Sequence, residues 1–190
     1  DLHLLSRRQR QMCIRDSYMI ERRMMLEGYC VIDGKEQKSR AAFNDIIIHR
    51  GTNPSVKTLI IRVNGEYLNT YVGDGIIVAT PSGSTAYNMS AGGPIVDPKA
   101  KLLLVTPINS HSLNAKSIVL SADDEIEIEI SARNHETDDS AEVSFDGDYP
   151  IKLGFGDKIV IKKAEQATNI LKLSKLSFLE ILSKKMQTCI

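Results

Sequence analysis

Three Asp-Gly or Asn-Gly dipeptides, each set between short segments of strand-forming residues, constrain the fold more than any other feature of this sequence. They are Asp33-Gly34, Asn64-Gly65 and Asp146-Gly147. Tight hairpin loops favour such pairs because both central residues adopt positive φ, which Asn, Asp and Gly tolerate best. The sequence therefore predicts three antiparallel hairpins.

The segments on either side of these turns have the composition of β-strands. We predict paired strands over residues 29–32 and 37–43, 58–63 and 67–72, and 142–145 and 149–153. The run EIEIEI at residues 125–130 alternates strictly, which predicts a strand with its isoleucines buried and its glutamates in water. Residues 158–162 predict a further strand, and its lysines are typical of a sheet edge.

Two segments predict helices. The first runs from about residue 85 to residue 91, with Ser84 as its N-cap, and the second runs from about residue 177 to residue 186 with an apolar stripe at helical spacing. The predicted fold class is therefore mainly β. We expect an antiparallel two-sheet, β-sandwich-like domain with a short helix after the TPSGS turn and a C-terminal helix.

Charge and cysteine content exclude several functional classes. The 24 Lys and Arg balance the 24 Asp and Glu, so the chain lacks the overall positive field that binds nucleic acid or an anionic membrane surface. Cys13, Cys30 and Cys189 have no CxxC spacing, and no apolar segment is long enough to span a bilayer. We therefore expect free thiols and a cytoplasmic location.

Residues 1–17 differ from the rest of the chain. They have neither strand alternation nor a helical stripe, and they lack the apolar region of a signal peptide. They resemble a peptide translated from adapter DNA at the edge of a sequencing read. We expect this segment to be non-native or disordered and the native chain to begin upstream of residue 18.

A cluster of small residues follows the continuous apolar strand predicted over residues 75–79. The turn at residues 80–83 leads into the first predicted helix, and such a junction exposes backbone N–H groups with partial positive charge. The hydroxyls of Ser82, Ser84 and Thr85 add hydrogen-bonding groups, and the lack of bulk admits a flat ligand. The same residues also fit a tight, well-capped turn with no ligand.

Four segments together carry a resemblance to a known family. DG followed by TPSGSTAYNMSAGGPIV is similar to the central motif of the NAD kinases, which transfer the terminal phosphate of ATP to the 2′-hydroxyl of the adenosine ribose of NAD. AAFNDIIIHRG, VTPINSHSL and VSFDGD resemble three further family segments in the same order. The resemblance covers roughly residues 18–190. It implies NAD and ATP as substrates, Mg²⁺ or another divalent metal with ATP, and a homodimer or homotetramer.

The resemblance also implies which residues contact NAD. Asn44 and Asp45 match the pair that holds the ribose hydroxyls, and an amide beside a carboxylate can both donate to and accept from a diol. The other implied contacts are Asp74, Ser82, Thr85, Ala86, Tyr87, Ser90, Ile108 and Asp148. From the residues alone, Asn44 and Asp45 also fit a strand start, and Tyr87 also fits a packed helix residue with a wet hydroxyl.

The GGDG motif of the family does not occur in these 190 residues. Its aspartate is proposed to activate the ribose hydroxyl, and its glycines meet the ATP phosphates in an α/β domain that precedes the region matched here. We therefore expect no catalytic residue and no metal ligand in this chain, which on its own would be inactive. We expect residues 18–164 to form the NAD-binding domain and residues 165–190 to form a tail and helix that dock on the preceding domain.

Two other functions remain open from the sequence. A lipid or sphingoid-base kinase relative would have a similar architecture, and a non-catalytic nucleotide-binding β module would have a similar strand pattern. The Asn44-Asp45 pair and the TAYxxS segment favour a dinucleotide over a lipid.

Overall fold

The computed structural model describes residues 18–52, 55–111, 115–131 and 140–187. Residues 1–17, predicted to be foreign to the fold, lie outside these ranges, as do Cys13 and Cys189. Cys30 is a free, buried thiol, and burial raises its pKa to about 11, so it stays protonated. In the described ranges, no helix combines the length and the apolar character needed to cross a membrane.

Seven strands form the first sheet, sheet A. They are β1 (Met19–Ile32), β2 (Lys35–Glu36), β3 (Arg40–Ala42), β5 (Lys57–Val63), β6 (Glu66–Gly73), β10 (Ile126–Ser131) and β13 (Lys158–Lys172). The order is β2-β1-β13-β10-β5-β6, and β3 also pairs with β1.

Six strands form the second sheet, sheet B. They are β4 (Asp45–His49), β7 (Gly75–Ala79), β8 (Leu102–Ile108), β9 (Ile118–Ser121), β11 (Ala141–Phe145) and β12 (Ile151–Leu153). The order is β12-β11-β4-β7-β8-β9, and each adjacent pair is antiparallel. Strand β4 therefore lies inside sheet B, between β11 and β7.

The main core lies between the two sheets. One buried cluster contains Leu59, Ile61 and Ile128 from sheet A together with Ile46 and Val78 from sheet B. The alternation of each strand explains this arrangement, because every second side chain points to the same face. The predicted fold class, mainly β with two antiparallel sheets, is confirmed.

The predicted hairpin turns are confirmed. Asp33, Asn64 and Asp146 have φ values of 50°, 52° and 51°, and the glycine that follows each also has positive φ. In the first two hairpins the dipeptide alone joins paired strand residues, and its twist matches that of the strands. Asp146-Gly147 instead lies within a longer connection, because the pairing of β11 with β12 ends at Val143 and Ile151. The dipeptides therefore determined where these strands reverse.

The strands differ from the sequence expectation mainly in length and position. Strand β1 begins at Met19, ten residues before its predicted start, and β13 ends at Lys172, ten residues after its predicted end. Strand β13 lies between β1 and β10, so the prediction of an edge strand was wrong. Lysines at the exposed positions of an interior strand give the same pattern as lysines on an edge. Strands β8 and β9 were not predicted, because no Asp-Gly or Asn-Gly dipeptide lies between them in the sequence.

The two predicted helices are present, but the first is shorter than expected. A 3₁₀ turn at Gly83–Thr85 precedes a single helical turn, α1 (Tyr87–Ser90). Ser84 lies inside the 3₁₀ turn, whose N-cap position is Ser82, and Ala86 occupies the N-cap position of α1, so the prediction of Ser84 as an N-cap was wrong. Its hydroxyl donates instead to the carbonyl of Pro81, at 2.7 Å.

Residues 24–167 form one compact unit, and the described residues 18–23 and 168–187 belong to another. The described part of this second unit contains helix α2 (Phe178–Gln187). The Ser177 hydroxyl accepts from the backbone N–H of Glu180, and the Glu180 carboxylate accepts from that of Ser177. This reciprocal capping box explains where the helix begins. The Glu21 carboxylate forms ion pairs with Arg23 and Lys172, and these contacts hold its pKa below the usual range.

Candidate functional site

Strand β4 supplies the base of the candidate site. Alternation along the strand directs Ile46 and Ile48 into the core between the sheets. Asp45, Ile47 and His49 therefore share the opposite face of sheet B. Asp45 lies at the start of this row and His49 at its end, so the strand itself fixes the separation of these two polar groups.

The segment that leads into β4 is held by the Asp146-Gly147 turn. Both carboxylate oxygens of Asp146 are used: Oδ2 accepts from the backbone N–H of Phe43, at 2.6 Å, and Oδ1 accepts from that of Asn44, at 2.7 Å. Oδ1 also accepts from the backbone N–H of Asp45, at 3.1 Å. The sequence identified this dipeptide only as a turn, although an aspartate in a family motif was a signal for a further role.

Asp45 is a buried carboxyl group, with 4% of its surface exposed. Burial raises its pKa to about 6, and the negative charge of Asp146 adds to the effect. The group therefore titrates close to neutral pH.

The TPSGST turn packs directly against the backbone of Asn44. The Thr80 backbone N–H donates to the Asn44 carbonyl, at 2.9 Å, and the Thr80 hydroxyl donates to the Phe43 carbonyl, at 2.8 Å. The same hydroxyl accepts from the Gly83 N–H, at 3.0 Å. A Cβ at Gly83 would lie 2.1 Å from the Asn44 carbonyl oxygen, so a side chain does not fit there. The two motifs, about 40 residues apart in sequence, are thus joined by direct contact.

Buried polar groups hold helix α1 against sheet B. The Asn88 amide donates to the carbonyls of Ser84 and Pro94, and its oxygen accepts from the Thr106 hydroxyl on β8, at 2.7 Å. The Ser84 hydroxyl also accepts from the backbone N–H of Val96, at 3.1 Å. Asn88 and Ser84 are fully buried with their polar groups satisfied, so they are structural rather than available to a ligand.

A cavity of about 350 Å³ opens beside this helix. Its lining residues are Ile47, His49, Arg50, Gly51, Asp74, Tyr87, Ile108, Asn109 and Ser144. They come from β4, β8 and β11, from α1, and from the segments that follow β4, β6 and β8. Tyr87 is 45% exposed, so its ring and hydroxyl remain available at the cavity.

The polar side of the cavity is organised around Asp74. Its Oδ2 accepts from the side-chain amide of Asn109, at 2.9 Å, and its Oδ1 lies 3.3 Å from Nε of Arg50. The backbone N–H of Arg50 also donates to the Asp74 carbonyl, at 3.0 Å. His49 accepts the Gly51 N–H at Nδ1, at 2.9 Å, so a neutral ring carries its proton on Nε2.

The predicted site residues fall into three groups in the structure. Asp74, Tyr87 and Ile108 line the cavity. Six others belong to the adjoining segments: Asn44, Asp45, Ser82, Thr85, Ala86 and Ser90. Asp148 directly follows the Asp146-Gly147 turn, and its carboxylate pairs with Arg40 at 2.5 Å in an exposed contact. The Thr85 hydroxyl reaches the Ser82 carbonyl at 3.5 Å, and Thr85 itself is exposed.

Sequence reasoning did not identify several residues that line the cavity. The sequence motifs assigned no site role to His49, Arg50, Asn109 or Ser144. His49 and Arg50 directly continue the AAFNDIIIHRG segment, and Asn109 follows Ile108, so proximity to known motifs was the available signal. Ser144 pairs with Ile47 across the β11–β4 ladder, and only the strand register reveals that contact.

The family model described as the ATP-NAD kinase C-terminal domain matches residues 43–173. The chain belongs to the ATP-NAD kinase family. The matched residues contain Asn44, Asp45, the TPSGST turn and the Asp146-Gly147 turn. The resemblance inferred from the sequence motifs is therefore confirmed.

Named relatives of this kinase family agree over most of the chain. The NAD kinase of Agathobacter rectalis is 56% identical over 171 residues, which are 90% of this chain and 59% of that relative. The NAD kinase of Lachnospira eligens is 47% identical over 183 residues, which are 91% of this chain and 62% of that relative. The chain thus spans about three fifths of the length of these curated relatives.

Two solved structures of kinases resemble the fold. The crystal structure of yeast NADH kinase complexed with NADH matches with a TM-score of 0.83 and 28% identity, over 88% of this chain and 50% of that one. The structure of an NAD kinase from Archaeoglobus fulgidus in complex with ATP matches with a TM-score of 0.65 and 28% identity, over 82% of this chain and 56% of that one.

Proposed function

We propose that the complete protein to which this chain belongs is an NAD kinase, and that this chain supplies its NAD-binding part. The reaction transfers the terminal phosphate of ATP to the 2′-hydroxyl of the adenosine ribose of NAD and gives NADP. The observation that carries this proposal is the direct contact between the Asn44-Asp45 segment and the TPSGST turn beside a cavity of about 350 Å³. A cleft of this size, in which polar side chains lie beside Ile47 and Ile108, is typical of a small-molecule site.

The proposed contacts follow from the chemistry of each side chain. Asn44 and Asp45 meet the vicinal hydroxyls of the ribose, because an amide and a carboxylate together donate to and accept from a diol. The ring of Tyr87 packs on the dinucleotide and its hydroxyl remains free to hydrogen-bond. Thr85 and Ala86 are proposed to lie beside the adenine, and Asp74 is proposed to contact the nicotinamide half. The further proposed NAD contacts are Ser82, Ser90, Ile108 and Asp148.

The remaining parts of the reaction lie outside the site described above. Phosphoryl transfer needs a positioned base and donors around the moving phosphate, and GGDG does not occur in these 190 residues. The residues that the structure describes contain no cluster of His, Cys, Asp or Glu that fits a metal ion. We propose that Mg²⁺ or another divalent metal arrives with ATP, which needs no dedicated protein cage. We further propose a cytoplasmic homodimer or homotetramer.

Replacing Asn44 tests the proposed ribose contact. We expect Asn44→Ala to weaken NAD binding by this chain about tenfold, since a hydroxyl of the ribose loses its partner. Isothermal titration with NAD measures the change. Asn69→Ala is the matched control, because Asn69 is exposed on β6 in the other sheet, and we expect its NAD affinity to match the wild type.

The same titration separates the proposed function from its alternatives. Saturable sphingosine binding without NAD binding would contradict the proposal and favour a lipid kinase relative. Equal NAD affinities for Asn44→Ala and the wild type would remove Asn44 from the site.

A tyrosine pair tests the aromatic contact. Tyr87→Ala removes the ring at the cavity, and we expect NAD binding to weaken about tenfold, as is usual when an aromatic partner of a base is lost. Tyr67→Ala removes an equally large exposed ring from β6 in sheet A. Titration of both variants with NAD should show the loss only for Tyr87, and an equal loss in both would argue against a specific contact.

A further inference from the structure

One carboxylate organises the entry into β4. The side chain of Asp146 accepts hydrogen bonds from three consecutive backbone N–H groups, those of Phe43, Asn44 and Asp45. Hydrogen bonds to an ionised acceptor are stronger than those between neutral groups. Three consecutive donors that converge on one side chain define the path of the backbone at these residues.

The same turn is tied to β4 through its backbone. The Asp146 N–H donates to the Asp45 carbonyl, at 3.0 Å, which continues the ladder in which Phe145 pairs with Ile46. Asp146 itself has a φ of 51°, within the turn that joins β11 to the chain leading into β12. The position of its carboxylate is therefore set by the turn and by the ladder, and not by a flexible loop.

Asn44 is held from both sides as a result. Its N–H donates to Asp146, and its carbonyl accepts from the Thr80 N–H at 2.9 Å. With both backbone groups engaged, the direction in which the Asn44 side chain leaves the backbone is fixed. Asp45 shares this constraint, since its N–H and its carbonyl both bond to Asp146.

We propose that Asp146 is a positioning residue for NAD: its carboxylate holds the backbone of residues 43–45 so that the side chains of Asn44 and Asp45 meet the ribose together. This inference rests on the proposed function and deepens it, because it assigns a role to a residue that does not itself contact the ligand. Preorganisation of this kind increases affinity by reducing the ordering that binding requires.

The electrostatics agree with this arrangement. Placing the Asp146 charge beside the buried Asp45 carboxyl helps to raise the pKa of Asp45 to about 6, which disfavours the ionised form. A neutral turn residue would avoid that cost. The Asp146 carboxylate is therefore electrostatically unfavourable beside Asp45, but it accepts hydrogen bonds from three backbone N–H groups.

The test uses turn variants of the complete 190-residue chain. Asp146→Gly keeps a residue that tolerates positive φ but removes the carboxylate, and Asp146→Asn keeps the turn preference and one acceptor oxygen. We expect Asp146→Gly to weaken NAD binding about 10- to 100-fold and Asp146→Asn to weaken it less. Asp33→Gly makes the same change in the Asp33-Gly34 turn, whose two residues also have positive φ, and should bind NAD like the wild type.

Amide measurements separate positioning from loss of folding. In Asp146→Gly, the amide proton signals of Phe43, Asn44 and Asp45 should shift and exchange faster with solvent, while those of the β7 core strand remain unchanged. These amide changes together with weakened NAD binding support the proposal. Unchanged NAD affinity in Asp146→Gly overturns it, and so does a loss that Asp33→Gly shares equally.

Titration of the wild-type chain with NAD distinguishes a failure of the proposed function from a failure of the positioning role of Asp146. Absence of NAD binding by the wild-type chain overturns the proposed function and the NAD role of Asp146 with it. NAD binding by the wild type that Asp146→Gly retains in full overturns only the positioning role.

Discussion

Gly83→Ala is expected to abolish measurable NAD binding by this chain and to lower its free energy of unfolding by about 2–4 kcal/mol. The added Cβ would lie 2.1 Å from the carbonyl oxygen of Asn44, and the nearby atoms are backbone, so no flexible side chain can move aside. The 3₁₀ turn and the start of β4 must separate. That movement breaks the contact between the two motifs on which the proposed ribose site depends.

Denaturant unfolding and titration with NAD measure the two effects. Gly154→Ala is the matched control, because a Cβ there meets only the Asp157 carboxylate at an ordinary 3.5 Å. We expect this control to keep the wild-type NAD affinity and most of the wild-type stability. If Gly83→Ala bound NAD as the wild type does, the contact between the TPSGST turn and Asn44 would not matter for the site.

Asp45→Asn is expected to change stability and binding in opposite directions at pH 7. The folded chain raises the pKa of Asp45 from 3.8 to about 6, so folding favours the protonated carboxyl. The unfolded chain loses this proton first as the pH rises, and Asp45 therefore lowers the free energy of unfolding progressively between about pH 4 and pH 6. Asparagine carries no charge and removes that cost, which is at most about 3 kcal/mol.

The comparison requires unfolding curves at several pH values between 4 and 7. We expect Asp45→Asn to be more stable than the wild type at pH 7 and to lack the decrease between pH 4 and pH 6. Its NAD affinity should fall, because an amide offers one acceptor oxygen in place of two. Asp33→Asn makes the same chemical change at an exposed turn and should leave the pH profile unaltered. Parallel profiles for the wild type and Asp45→Asn would show that Asp45 is not the group responsible.

A buried carboxyl group that reduces stability is typical of a functional residue. A chain selected for stability alone would place a neutral side chain at the start of β4, where Asp45 is 4% exposed. We expect Asp45→Asn to gain stability and to lose NAD affinity. This combination would show that the Asp45 carboxyl serves binding at a cost in stability.

The sequence determined the features that depend on neighbouring residues. Asp-Gly and Asn-Gly turns require positive φ and so identify hairpins, and EIEIEI fixes which side chains of β10 are buried. The full lengths of β1 and β13 were not predictable, because residues far apart in the chain provide the partners of their additional residues. The burial of β8 depends in the same way on β7 beside it.

The motifs also named much of the candidate site, because Asn44, Asp45, Asp74 and Tyr87 have the side-chain chemistry that a dinucleotide needs. Only the tertiary structure decided how these residues meet. The carboxylate of Asp146 accepts a hydrogen bond from Asn44, about 100 positions earlier in the chain. Gly83 packs against the Asn44 carbonyl, where a side chain at position 83 would not fit. Local conformational preferences depend on a residue and its neighbours, so the sequence reveals them. The contacts that join β4 to the TPSGST turn and to the Asp146-Gly147 turn depend on the register of sheet B, which only the tertiary structure shows.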